Sequence, residues 1–121
     1  MKTNLPFPTS EAVENYLDRT GGRLGSTTTR ALNDRIAASL ENNGFTVTNG
    51  AGRGPEEWIP GPGGGTSGGT FVDIRATRGT DVVRIQTIDT LTDGTPTARE
   101  TAATARIQAA FPQDKLLLIP K

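Results

Sequence analysis

The sequence predicts an α/β fold: a small mixed sheet on an α-β-β-β-α-β order of elements, flanked by helices. Three observations carry this expectation. Residues 26–43 repeat apolar side chains at helical spacing (Ala31, Leu32, Ile36, Ala37, Leu40), and a second helical pattern covers residues 98–110. Between them lie β-rich runs of strand length, Phe71-Val72-Asp73-Ile74-Arg75 and Val82-Val83-Arg84-Ile85-Gln86-Thr87-Ile88-Asp89. An apolar run, Lys115-Leu116-Leu117-Leu118-Ile119, follows the second helix.

Taken in order, residues 1–25 read as a loosely ordered N-terminal segment. Ser10 caps a short helix over Glu11 to Leu17, and the Gly21-Gly22 pair breaks it. Residues 26–121 read as a single α/β domain. Its first helix takes an N-cap from the Ser26-Thr27-Thr28-Thr29 cluster and ends at Asn43-Gly44 in a left-handed cap. Phe45 to Thr48 alternate as a strand. Residues 50–69 are a Gly/Pro-rich loop of a length uncommon in small domains, given partial order by Glu56, Glu57, Trp58 and Ile59. Its Gly61 to Gly69 part lacks a P-loop ending and is expected to act as a flap or connection. Thr70–Thr77 and Asp81–Asp89 pair as a hairpin through Arg78-Gly79-Thr80. A turn over Thr92 to Pro96 leads to Thr97, the N-cap of the second helix, with Glu100 completing a capping box. The apolar positions of that helix are Ala102, Ala105, Ile107 and Phe111, and the final run suits a strand buried on both faces.

Composition narrows the chemistry. The 121 residues suffice for one core. The low apolar content, 33%, comes largely from 15 Gly and 8 Pro. Thirteen basic and thirteen acidic residues cancel, so no global field draws the chain to nucleic acid. With no cysteine there is no disulfide, thiol nucleophile or Cys-ligated zinc. With no histidine, the Ser-His-Asp triad, His-based RNase catalysis and His-metal sites are excluded. Met1 to Pro8 lacks the apolar region of a signal peptide, and no apolar run reaches the roughly 18 residues of a membrane span.

Attention therefore falls on Asp73. A carboxylate inside a β-branched strand is costly without a partner, metal or hydrogen-bond network. Metal-assisted nucleases need converging carboxylates and a cationic group beside the phosphate. Asp73 and Gln86 can share a sheet face, and oxygen donors of this kind suit hard cations. Strand parity sets Arg84, Gln86 and Ile88 on one side and Ile85, Thr87 and Asp89 on the other. Both polar sets cannot enter one site without a bulge.

The element order, with Asp73 on the second core strand and Gln86 in the place of the third-strand acid, resembles the restriction-endonuclease-like nucleases. The family's Glu-x-Lys lysine is absent, since Ile88 stands there. The resemblance implies Asp73, Glu57 and Gln86 as ligands of Mg²⁺ or another divalent cation, with Glu41 a weaker choice than Glu57. It implies Arg99 or Arg84 in the cationic role, with Lys115 a remoter candidate. The stretch from Val83 to Glu100, with Glu56-Glu57-Trp58-Ile59-Pro60-Gly61 before it and Leu118-Ile119-Pro120-Lys121 after it, also resembles C-terminal toxin domains of polymorphic bacterial proteins of the Rhs and contact-dependent types. That likeness implies a delivered effector acting on nucleic acid in a target cell's cytoplasm, with a cognate immunity protein. Trp58 and Thr87 are its expected substrate contacts.

Other readings stay open. The chain is alternatively a metal-independent RNase or other nucleotide-directed toxin, or a non-catalytic module of the same fold. Asp73 is alternatively a structural ion pair with Arg75, Arg84 or Arg99, and Gln86 a hydrogen-bond partner at a sheet end. Arg99 and Glu100 are alternatively a cap and a solvated charge, and Glu56 and Glu57 surface acids. Trp58 is read first as a plug over the core and second as a base-stacking platform. Thr87, Asp89 and Thr90 alternatively order the turn before Asp93-Gly94.

Overall fold

A computed structural model describes residues 9–20, 28–61 and 68–121. The readings of Met1 to Pro8, of the Gly21 to Gly25 break, of Ser26 and Thr27 as caps and of residues 62–67 of the flap lie outside these. The described elements are α1 (Ser10–Thr20), α2 (Thr29–Asn42), β1 (Thr46–Gly50), β2 (Glu57–Ile59), β3 (Thr70–Val72), β4 (Ile74–Arg78), β5 (Asp81–Ile88), α3 (Ala98–Ala110) and β6 (Lys115–Pro120). They form a mixed α/β fold. Four strands make a sheet in the order β1-β4-β5-β6, with β6 parallel to β5 and the other neighbours antiparallel. The β4–β5 hairpin is central, as the sequence predicts, and turns through Gly79 at positive φ. β2 and β3 form a separate antiparallel ribbon.

Side-chain parity builds two cores on the two faces of the sheet. Val83, Ile85, Leu117, Ile119, Ile74 and Ala76 pack with Leu32, Ile36, Ala37 and Leu40 of α2. Val13 and Leu17 of α1 are buried in the same cluster, so Ser10 to Thr20 belongs to the domain and not to a loose tail. Thr9, not Ser10, caps α1: its hydroxyl accepts from the Ala12 N–H at 3.1 Å. Thr28 caps α2 in the same way, and Gly44 at φ +83 follows its C-cap residue. On the opposite face Ile59, Val72 and Ile107 are buried together, with Phe111 and Leu116 against them.

Two expectations change here. Of the apolar positions expected on α3 only Ile107 is fully buried, because that helix covers the narrow β2–β3 ribbon rather than a broad sheet. β6 is an edge strand with Leu117 and Ile119 buried and Leu116 and Leu118 half-buried, so it is not enclosed on both faces.

The ribbon is tied to the sheet by an ion pair. Arg84 is 3% exposed, its guanidinium donating to both Glu57 oxygens (2.8 and 3.2 Å) and to Asp114, with the Phe111 ring centroid 3.5 Å away. Burial works against the charge, but the two carboxylates outweigh it and raise the Arg84 pKa. Removing one partner of a buried pair strands the others. Arg84→Ala is therefore expected to lower unfolding stability by about 3–5 kcal/mol. Urea denaturation checks this, and a loss below about 1 kcal/mol, the scale of a surface pair, contradicts it.

Candidate functional site: the cleft at the Asp73 strand break

One long strand was expected from Thr70 to Thr77. The chain instead leaves the ribbon at Val72, bends at Asp73 and joins the main sheet at Ile74. The side chains opposite substitute for the interrupted ladder. Gln86 Oε1 accepts from the Asp73 N–H at 2.6 Å, and Gln86 Nε2 donates to the Phe71 carbonyl at 3.3 Å. Asp73 Oδ2 accepts both from the Thr87 N–H (2.8 Å) and from the Thr87 hydroxyl (3.0 Å). The expected bulge does not form, since the β5 register is continuous; the break in its partner strand brings Gln86 and Thr87 to one site although they are neighbours on one strand.

Gly50 permits the bend. It sits at φ +81 opposite Ile74, and a Cβ there would overlap the Asp73 carbonyl oxygen. The loop beyond it is pinned to α2 by Arg53, which pairs with Asp34 and Glu41. Glu41 is thereby held away from Asp73.

A cavity of about 570 Å³ opens at the break. Asp73, Gln86 and Thr87 line its floor, Arg99, Glu100 and Arg106 its α3 side, Trp58 and Phe71 its ribbon side, and Asp89 and Lys121 its end. Burial raises the Asp73 pKa above its ordinary value. The two Thr87 bonds and the Lys121 charge pull it down, while Glu100 pushes it up. Glu56 is raised too, by burial and then by the Asp73 charge.

Of the predicted site residues, Asp73, Gln86, Thr87, Arg99 and Trp58 meet in this cleft. Glu57 and Arg84 do not. They hold each other beneath the ribbon, and Arg75 is 3.9 Å from the same Glu57 carboxylate. Arg75, Arg84 and Arg99 therefore leave Asp73 without a guanidinium partner among the described residues. Trp58 is not a plug over the core: it is 40% exposed and packs on Phe71. Glu100 reaches across to the Asp89 N–H (2.6 Å) rather than back to its cap residue, so only the Thr97 half of the capping box forms. Thr90 bridges to Pro96, whereas Thr87 serves Asp73.

Lys121 is a cleft residue that sequence reasoning missed, as are Phe71 and Arg106. Val83 is in register with Lys115 and Ile88 with Pro120, so the start of β6 lies at the far end of the sheet and its finish beside the cleft. Lys115 is thus remote, while Lys121, 3.4 Å from Asp89, stands next to Ile88, its N–H donating to the Ile88 carbonyl. The signal available was the final strand's parallel direction, which sets its last residue alongside the end of β5.

Among the described residues no group of three His, Cys, Asp or Glu side chains is placed to hold a metal ion, and no helix is long and apolar enough to cross a membrane. No protein-family model matches this chain, and no significant similarity to a curated protein or a solved structure is found.

If Gly50 sets the bend, Gly50→Ala is expected to cost at least about 1–3 kcal/mol through its left-handed φ alone. It should also shift the amide resonances of Asp73 and Thr87. Unchanged Asp73 and Thr87 amides in a folded variant contradict this role.

Proposed function

We propose that this chain is a toxin-type nuclease that hydrolyses nucleic-acid phosphodiester bonds in the Asp73 cleft. The observation that carries the reading is the meeting in one cavity of a carboxylate above its ordinary pKa with Arg99 and Lys121. Perturbed carboxylates beside cations in clefts are where acid–base chemistry is found. The bent Asp73 strand, followed by Gln86 on the next strand and a helix over both, supports a restriction-endonuclease-like assignment. Lys121 supplies the charge that Ile88 cannot.

The donors facing the cavity are oxygens, so Mg²⁺ fits better than a nitrogen- or sulfur-seeking metal. Mg²⁺ is commonly held by one or two carboxylates together with substrate phosphate. Asp73 is the residue to hold it. Glu57 is consumed by Arg84, and Gln86 Oε1 already accepts the Asp73 N–H. The chemistry supplied by Mg²⁺ bound there is charge neutralisation on the phosphate and a more acidic water.

The chain's own groups divide the remaining work. Thr87 fixes Oδ2 of Asp73 and so orients the carboxylate. With the cation held by Asp73, the attacking water would give up its proton to solvent; in metal-free cleavage ionised Asp73 takes that proton instead. Arg99 and Lys121 offset the charge that gathers on the phosphate oxygens as the bond to the leaving oxygen breaks. The leaving oxygen takes its proton from solvent. In the toxin setting that the sequence resembles, the chain is delivered to a target-cell cytoplasm, and a cognate immunity protein covers the cleft.

A second reading, metal-independent cleavage, is favoured by the lack of a three-acid group among the described residues. Expression of wild type and Asp73→Asn in bacteria, followed by digestion of purified DNA and RNA with and without chelator, separates these readings. Wild type should be toxic and cleave only with divalent cation. At limiting cation its rate should rise with pH as Asp73 ionises, because only the carboxylate form holds the cation. Asp73→Asn should lose about 100-fold or more. Cleavage that survives chelator selects the second reading, and intact nucleic acid with a harmless wild type overturns both.

A further inference from the structure

The ribbon carries two aromatic side chains that neither core uses. Trp58 and Phe71 are cross-strand partners with ring centroids 4.8 Å apart and planes tilted by 54°. They are 40% and 53% exposed. Large aromatic surface kept out of the core of a small domain marks a binding site.

The pair is held in place rather than loose. A Cβ at Gly69 would lie 2.5 Å from the Trp58 ring, so the bare backbone there lets the indole lie against the chain. Arg106 Nε donates to the Gly68 carbonyl at 2.8 Å and ties that turn to α3. Two helical turns earlier stands Arg99, which also lines the cleft and whose guanidinium makes no hydrogen bond or ion pair among the described residues.

A positioned aromatic pair, an uncommitted guanidinium and Asp73 thus border one cavity. Bases stack on aromatic rings whatever their identity, and arginine binds the adjoining phosphate. Duplex bases are already stacked on each other and cannot be offered this way. We infer that the cleft takes unpaired nucleic acid: a single strand or a loop whose base stacks on Trp58 and Phe71 while Arg99 holds the next phosphate. This rests on the nuclease reading and adds its substrate class.

The chain has one tryptophan, so its fluorescence reports on this place alone. The test uses Asp73→Asn, which binds without turnover, titrated with a short oligouridylate, the matching oligothymidylate and a mixed-sequence duplex. Single strands should quench Trp58 and bind roughly tenfold or more tightly than duplex. Phe71→Leu and Arg99→Gln should each lose roughly tenfold in affinity, and Phe71→Tyr should retain it. Thermal unfolding of each variant confirms that it is folded. Equal affinity for duplex overturns the proposal, as does a folded Phe71→Leu that binds like its parent. If wild type and Phe71→Leu cut duplex equally well, the stacking role fails while the nuclease reading stands. Single-strand binding as described, with no cleavage by wild type, keeps the stacking role and removes the enzyme. Absence of both binding and cleavage removes both and leaves the aromatic pair to a protein partner.

Discussion

The structure depends on how the ladder is repaired where one strand bends at Asp73. A bend strands backbone polar groups, and each one left buried without a partner costs free energy on the order of 1–3 kcal/mol. Gln86 spans the gap with both ends of its amide, accepting from Asp73 N–H and donating to the Phe71 carbonyl. Thr87 binds the Asp73 carboxylate through backbone and side chain together. Because the bend is satisfied in this way, the chain can leave the main sheet and build the β2–β3 ribbon. The ribbon in turn supports α3 through Ile59, Val72 and Ile107. The cleft is the space that this departure opens.

The same constraint sets the electrostatics. Asp73 is half-buried and in the company of Glu56 and Glu100, which disfavours its charge. Two bonds from Thr87 and the nearby Lys121 ease the penalty without removing it. The buried cation Arg84 is spent elsewhere, on Glu57 and Asp114 under the ribbon. Stability and the proposed chemistry are thereby divided between two polar clusters on neighbouring residues of β5. Arg84 anchors the scaffold, and Gln86 with Thr87 shapes the site.

Much of this was legible in the sequence. The α2 stripe, its Gly44 terminus, the hairpin and the Thr97 cap follow from local rules of spacing and capping. Asp73, Gln86, Thr87, Arg99 and Trp58 were singled out and meet in one cavity. What local rules could not supply is tertiary. The strand break is invisible because Phe71 to Arg75 reads as continuous strand, and the residue that permits it, Gly50, is more than twenty positions away. Glu57 was chosen for its charge and residue type, but long-range pairing with Arg84 decided its place. Lys121 entered the cleft only through the register of a parallel strand. Val13 and Leu17 carry too short a pattern to announce that α1 joins the core.

The account makes Asp73 a half-buried cleft carboxylate with no guanidinium paired to it among the described residues, rather than one half of a structural ion pair. Titration of its carboxyl carbon by NMR in the wild-type protein tests this directly. A midpoint above the roughly 3.9 of a free aspartate side chain is the predicted result. A midpoint below that value would mean that a cation or hydrogen-bond network holds Asp73 ionised for structural reasons, and would contradict the account.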